Sequence, residues 1–146
     1  MRFTIHVPFE FRASHTLNAR PQAHFHRYEL VLTMGGPLNP KDGFVVDMYK
    51  VREAAAPFIA RLDGAHLNGH PMLAVHEGEG RIAGVFPTCE ALALFFAESL
   101  RDKLNRLAAG AWLSGVQVRL LEDALHETDG VMEWGRAEVA LERDGP

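Results

Sequence analysis

His24-Phe25-His26-Arg27-Tyr28-Glu29-Leu30-Val31-Leu32-Thr33-Met34 sets the period of the first half of the chain. His24, His26, Tyr28, Leu30, Leu32 and Met34 fall on alternate positions, which predicts a strand over 24–34 with one inward face. Upstream, Phe3, Ile5, Val7, Phe9 and Phe11 alternate with Arg2, Thr4, His6 and Glu10, a second half-buried strand over 2–13. Pro8 marks an edge or a bulge in it. His15 keeps the odd parity of that run. If the two runs are antiparallel neighbours, three imidazoles project from the inward faces of adjacent strands. Residues two apart on a strand lie roughly 7 Å from each other on one side. A zinc ion fits between such side chains, because each Zn–N bond is only about 2.0–2.1 Å long. Three protein nitrogens leave one tetrahedral position open, the catalytic rather than the structural pattern. A His-x-His pair alone is more often two solvated strand residues. His15 at matching parity brings the metal reading level with that one.

Working outward, residues 14–23 carry turn and loop residues, and Gly35-Gly36-Pro37 and Asn39–Gly43 read as turn punctuation. Residues 44–46 suggest a short extended piece. From Asp47, a plausible N-cap, the period changes: Met48, Val51, Ala55, Phe58 and Leu62 mark one face of a helix. Pro57 inside it predicts a kink or a split. Residues 63–87 read as a long irregular loop, of the kind that is usually functional. Thr88 predicts the N-cap of a second helix carrying Leu92, Phe95, Phe96, Leu100, Leu104 and Leu107, with Gly110 as its stop. Val116, Val118 and Leu120 predict a third strand ending at Glu122. Val131, Glu133, Ala137, Val139 and Leu141 predict a fourth, with Trp134 on its other face. The expected fold is α+β: a four-stranded antiparallel sheet with two helices on one face, in the order strand-strand-helix-helix-strand-strand.

A chain of 146 residues is sized for one domain, 1–146, with a real core. A net charge of -4 offers no footprint for nucleic acid or an anionic membrane. No apolar run approaches 18 residues and no signal-peptide pattern opens the chain, so a cytoplasmic location is the expectation. The single cysteine, Cys89, excludes an internal disulfide and reads as a small buried hydrophobe. Eight histidines is a high count for this length, which is why a metal or acid–base site is pursued.

The motifs resemble the 6-pyruvoyl-tetrahydropterin synthase and 6-carboxy-tetrahydropterin synthase family over nearly the whole chain. Phe11-Arg12-Ala13-Ser14-His15-Thr16-Leu17 is similar to F-x-A-x-H-x-L, and His24–Tyr28 to H-G-H-x-Y. Gly43–Met48 is similar to G-x-v-x-D-F, Leu62–Asn68 to L-D-H-x-x-L-N, and Pro87–Ala93 to P-T-x-E-N-L-A. Val118–Glu122 matches a closing strand that ends in glutamate. The resemblance implies a tunnelling fold, a homohexamer and Zn2+ on His15, His24 and His26. It implies a lyase acting on dihydroneopterin triphosphate or a close relative. Glu122 would anchor the pterin ring, since two carboxylate oxygens match a guanidine-like edge, and Thr88 would lie near that ring.

The chain departs from the family at its acid–base group. Arg20 stands at the family's cysteine position, Gly64 at its histidine, and Phe25 at the glycine between the zinc ligands. A guanidinium stays protonated and cannot act as a general base. Asp63 remains, and His66, two positions from Gly64, is a candidate replacement base. Arg20 is either a plain surface charge or a phosphate contact, and Phe25 either packs in the core or narrows the pocket. His70, His76 and His126 read as exposed. Three functions stay open: a pterin lyase with a rearranged acid–base group; a divergent paralogue binding zinc and a pterin-like heterocycle; and an assembly protein with vestigial histidines.

Overall fold

The computed structural model describes residues 1–17, 20–70, 87–122 and 132–143. Strands β1 (Arg2–Leu17) and β2 (Arg20–Pro37) are followed by helices α1 (Met48–Leu62) and α2 (Cys89–Leu104). Strands β3 (Trp112–Glu122) and β4 (Met132–Ala140) close the chain. The four strands form one antiparallel sheet in the order β1-β2-β3-β4. The expected α+β architecture is the observed one.

Period-two alternation sends Phe11, Tyr28, Leu30, Leu32, Val116 and Val118 to one face of the sheet. There they form a single core with Val51, Ala55, Leu92, Phe95, Phe96 and Leu100 of the helices. Fully burying one such large side chain is worth about 1.5–3 kcal/mol, against about 1 kcal/mol for a helix cap. Packing therefore holds the helices, and caps fix where they start. Asp47 caps α1 by accepting from the Tyr49 N–H at 2.9 Å, and Thr88 caps α2 by accepting from the Ala91 N–H at 3.2 Å.

Several local expectations are corrected. Residues 14–17 and 20–23 are strand, not loop: the hairpin register runs unbroken from Arg2 opposite Pro37 to His15 opposite His24. Backbone pairing overrides the turn-like composition of Ser14, Thr16 and Gln22. Gly35, Gly36 and Pro37 belong to β2. The glycines serve close approach, not turning. A Cβ at Gly36 would meet the Ala111 and Gly110 backbone at 3.0 Å, and one at Gly35 would meet the Trp112 ring at 3.3 Å. The Asn39–Gly43 turn is present, closed by Gly43 N–H donating to Asn39 O at 2.8 Å. Residues 44–46 form no strand, and Val45 and Val46 enter the core instead. α1 is not split: it runs through Pro57, which lies on its exposed side, so the missing N–H costs nothing in the core. α2 stops at Leu104 with Asn105 as C-cap, short of Gly110. Asn105 Oδ1 accepts from the Leu113 N–H at 2.7 Å, which turns the chain towards β3.

A bulge alters the fourth strand. The β3–β4 register shifts between Leu120, opposite Gly135, and Leu121, opposite Glu133, leaving Trp134 unpaired. One extra residue flips the side chains beyond it. Glu133 therefore leaves the face of Ala137 and Val139, and joins Arg119 at 3.2 Å and Arg136. Arg119 also pairs with Glu29 at 2.7 Å, so this ladder spans β2, β3 and β4 on the face away from the helices. Hydrogen bonds from Arg136, then Arg119, hold the Glu133 carboxyl down at about 2.

Candidate metal centre

The hairpin register alone builds the centre. His15 lies opposite His24, and Ala13 opposite His26, so the three imidazoles converge at one end of β1 and β2. Their ring centroids stand 4.5–5.1 Å apart, edge to face. One ligating atom from each lies within 4.8 Å of the others. His15 is buried at 3% exposure, and its Nε2 has no hydrogen-bond partner among the described residues. A buried, orphaned nitrogen is costly unless something binds it.

The outer nitrogens are tied down in the way a metal ligand requires. His15 Nδ1 lies 3.3 Å from the Pro87 carbonyl and 3.1 Å from the Tyr28 hydroxyl. His24 Nδ1 lies 3.0 Å from the Gln22 carbonyl. A carbonyl only accepts, so each of these Nδ1 atoms carries the proton and each Nε2 keeps its lone pair. Burial, ahead of every other cause, lowers the His15 pKa; the Pro87 carbonyl opposes it, and the charges of His24 and His66 add to it. Burial thus favours the neutral, ligating imidazole. These residues fit a zinc ion with a position left open.

The other expected site residues are placed as follows. Asp63 is the C-cap of α1, and its Oδ1 accepts from the Arg12 N–H at 2.9 Å. Gly64 follows with φ +77°, the left-handed conformation that favours glycine. Residues 64–68 lie along the β1 edge: Ser14 N–H donates to Ala65 O, Leu67 N–H to Ser14 O, and Asn68 brackets Thr16 through both its side-chain atoms. His66 is thereby held beside β1, its Nδ1 2.9 Å from Ser14 Oγ. Asp63 and His66 thus have separate partners. Thr88 lies next to Pro87, so the α2 N-terminus and the His15 contact are one local unit. Glu122 ends β3, exposed, with its Oε2 accepting from Trp134 Nε1–H at 2.7 Å.

Phe25 is 56% exposed and so does not pack in the core. Cys89 is half-buried, and burial, reinforced by Glu90, pushes its thiol up to about 11, so it stays protonated and poorly nucleophilic. The Arg20 backbone opens β2, while His76 and His126 lie outside the described residues. Sequence reasoning missed Ser14, Pro87 and Trp134 as partners of the site. Only Ser14 had a signal, as the neighbour of His15 on the opposite face.

A four-stranded antiparallel sheet backed by two helices, with three convergent histidines on its first hairpin, defines the class: a tunnelling-type α+β domain with a centre able to hold a metal ion. The chain belongs to the 6-pyruvoyl tetrahydropterin synthase family, whose pattern it matches over residues 4–132. Among solved structures it is similar to the 6-pyruvoyl tetrahydropterin synthase of Caenorhabditis elegans, with TM-score 0.62 and 18% identity over 92% of this chain and 95% of that one. An uncharacterised protein from Wolinella succinogenes gives TM-score 0.63 and 19% identity over 97% and 99%. A 6-pyruvoyltetrahydropterin synthase variant from Plasmodium vivax gives 0.60 and 14% over 97% and 99%. At these identities the likeness is one of fold.

Proposed function

We propose that this protein is a zinc-dependent, pterin-binding lyase acting on dihydroneopterin triphosphate or a close relative, with an altered acid–base group. The observation that carries this reading is the orphaned, buried His15 Nε2 within the histidine cluster of a chain in this family. His15, His24 and His26 hold the zinc, which supplies Lewis acidity towards hydroxyl and keto oxygens when bound. Glu122 accepts from the N–H and amino groups of the heterocycle. Thr88 Oγ1 is engaged as an acceptor by its own helix, which leaves the hydroxyl proton to donate towards the ring. Asp63 and His66 move protons. Arg20 contributes charge, not basicity.

The test is single-turnover consumption of dihydroneopterin triphosphate, with ligand binding measured alongside. Glu122→Ala is expected to weaken pterin binding about 10–100-fold, the range for a lost hydrogen bond to a charged group, with zinc content unchanged. Equal binding by the variant and the wild type would remove Glu122 from the site. The second reading, a divergent paralogue that binds zinc and a pterin-like heterocycle, is favoured by Gly64. Its φ of +77° suits glycine, and with no side chain it supplies no acid–base group at this position. Zinc and pterin binding without turnover would select it.

The proposal extends to a homohexamer. Trp134 and Met132 of the β4 edge, at 54% and 57% exposed, and Phe25, at 56%, offer apolar surface that a second copy would cover. Sedimentation should show an oligomer at micromolar concentration, and a monomer there would contradict it.

A further inference from the structure

We propose that Trp134 is a positioning residue for Glu122: its indole N–H fixes the orientation of the carboxylate that receives the heterocycle. The proposal rests on the reading of Glu122 as the pterin anchor. Its origin is the β-bulge. Leu120 pairs with Gly135 and Leu121 with Glu133, so Trp134 is the extra residue. Without the bulge, strict alternation would put Trp134 and Glu133 on opposite faces in step with the rest of β4. With it, Glu133 is drawn to Arg119 and Arg136, and Trp134 is released to reach across to Glu122. Bulges beside functional sites commonly re-aim one side chain in this way.

The contact suits the task. At 2.7 Å, it is a short hydrogen bond from a neutral donor to a carboxylate. Indole N–H is a donor only, so it acts on the carboxylate and cannot compete with it for the ligand's N–H groups. A carboxylate offers about four lone-pair positions, and the indole takes one. Both oxygens stay available to an N–H and amino edge. Glu122 is otherwise an exposed, flexible side chain at a strand end, and ordering it on binding would cost affinity. Trp134 makes that ordering in advance. The expected loss without it is about two- to tenfold in affinity, the cost of immobilising one side chain.

The experiment is a double-mutant cycle with neopterin as probe, using the zinc-loaded protein: wild type, Trp134→Phe, Glu122→Ala and the double variant. Phe keeps an aromatic ring and removes only the donor. Ala removes both oxygens, so the indole has no acceptor left at position 122. Zinc content and melting temperature report whether each variant folds. Trp134→Phe should weaken neopterin binding about two- to tenfold in the wild-type background and leave it unchanged when Glu122 is already Ala. A loss of the same size in both backgrounds would overturn the proposal, because Trp134 would then act independently of the carboxylate. No loss in the wild-type background would overturn it too, while leaving the Glu122 reading intact if Glu122→Ala still binds weakly. Full affinity in Glu122→Ala would overturn both.

Discussion

His26→Ala should purify without zinc, whereas the wild type should hold about one ion per chain. The expectation follows from ligand number. With His26 gone, His15 and His24 remain, and two imidazoles do not make a three-nitrogen zinc site. Substitution at a half-buried hairpin position opposite Ala13 leaves the β1–β2 register and the core cluster unaltered, so the folded sheet should survive. Loss of metal can then be read apart from loss of fold. Metal analysis of both proteins after dialysis, with circular dichroism as the control, is the measurement. Equal zinc in the two would dissolve the centre. The wild type should also lose its ion on acidification, because protons compete for the imidazoles. His15 adds a stability effect in the metal-free protein. Burial lowers its folded pKa below the unfolded value of 6.5. The folded state therefore binds fewer protons, so this contribution is complete above pH 6.5 and declines as pH falls below it.

The shared face of the three histidines was legible in the sequence because strand parity alone sets it: odd positions from Phe3 to His15 and even positions from His24 to Met34 face one way. The register that sets His15 opposite His24 was not, because residues 14–23 read as loop and parity does not fix which residues pair. The fold class was legible for a similar reason, since each period change marks an element. What local pattern could not give was tertiary. Gly35 and Gly36 look like a turn until Trp112 and the Gly110–Ala111 backbone press against them. The bulge at Trp134 leaves no local mark, because Glu133, Ala137 and Val139 keep an alternation that the pairing interrupts. The partnership of His66 with Ser14 depends on residues 64–68 running beside the β1 edge, a contact across 52 positions of chain.

That partnership frames the expectation for catalysis. His66→Ala should abolish turnover of dihydroneopterin triphosphate while leaving zinc and pterin binding intact. Loss of one general acid–base group typically costs about 10²–10⁴-fold in rate. On the proposed reading Arg20 and Gly64 stand where the family's motifs carry two such groups, so the wild type should be slower than an enzyme with the full set. Asp63 alone is an incomplete replacement, since its Oδ1 is engaged by the Arg12 N–H. His66 is better prepared. Ser14 Oγ fixes its Nδ1, and Ser14 is itself buried and clamped by Ala65 and Leu67, so Nε2 is the nitrogen left on an exposed ring to exchange a proton. If Ser14 positions His66, Ser14→Ala should lower the single-turnover rate by a smaller factor than His66→Ala and leave pterin affinity unchanged. The decisive measurement is the single-turnover rate of wild type, His66→Ala and Ser14→Ala at matched zinc content. A wild type as fast as an enzyme with the full set, and indifferent to His66→Ala, would mean that the proton is moved by another group.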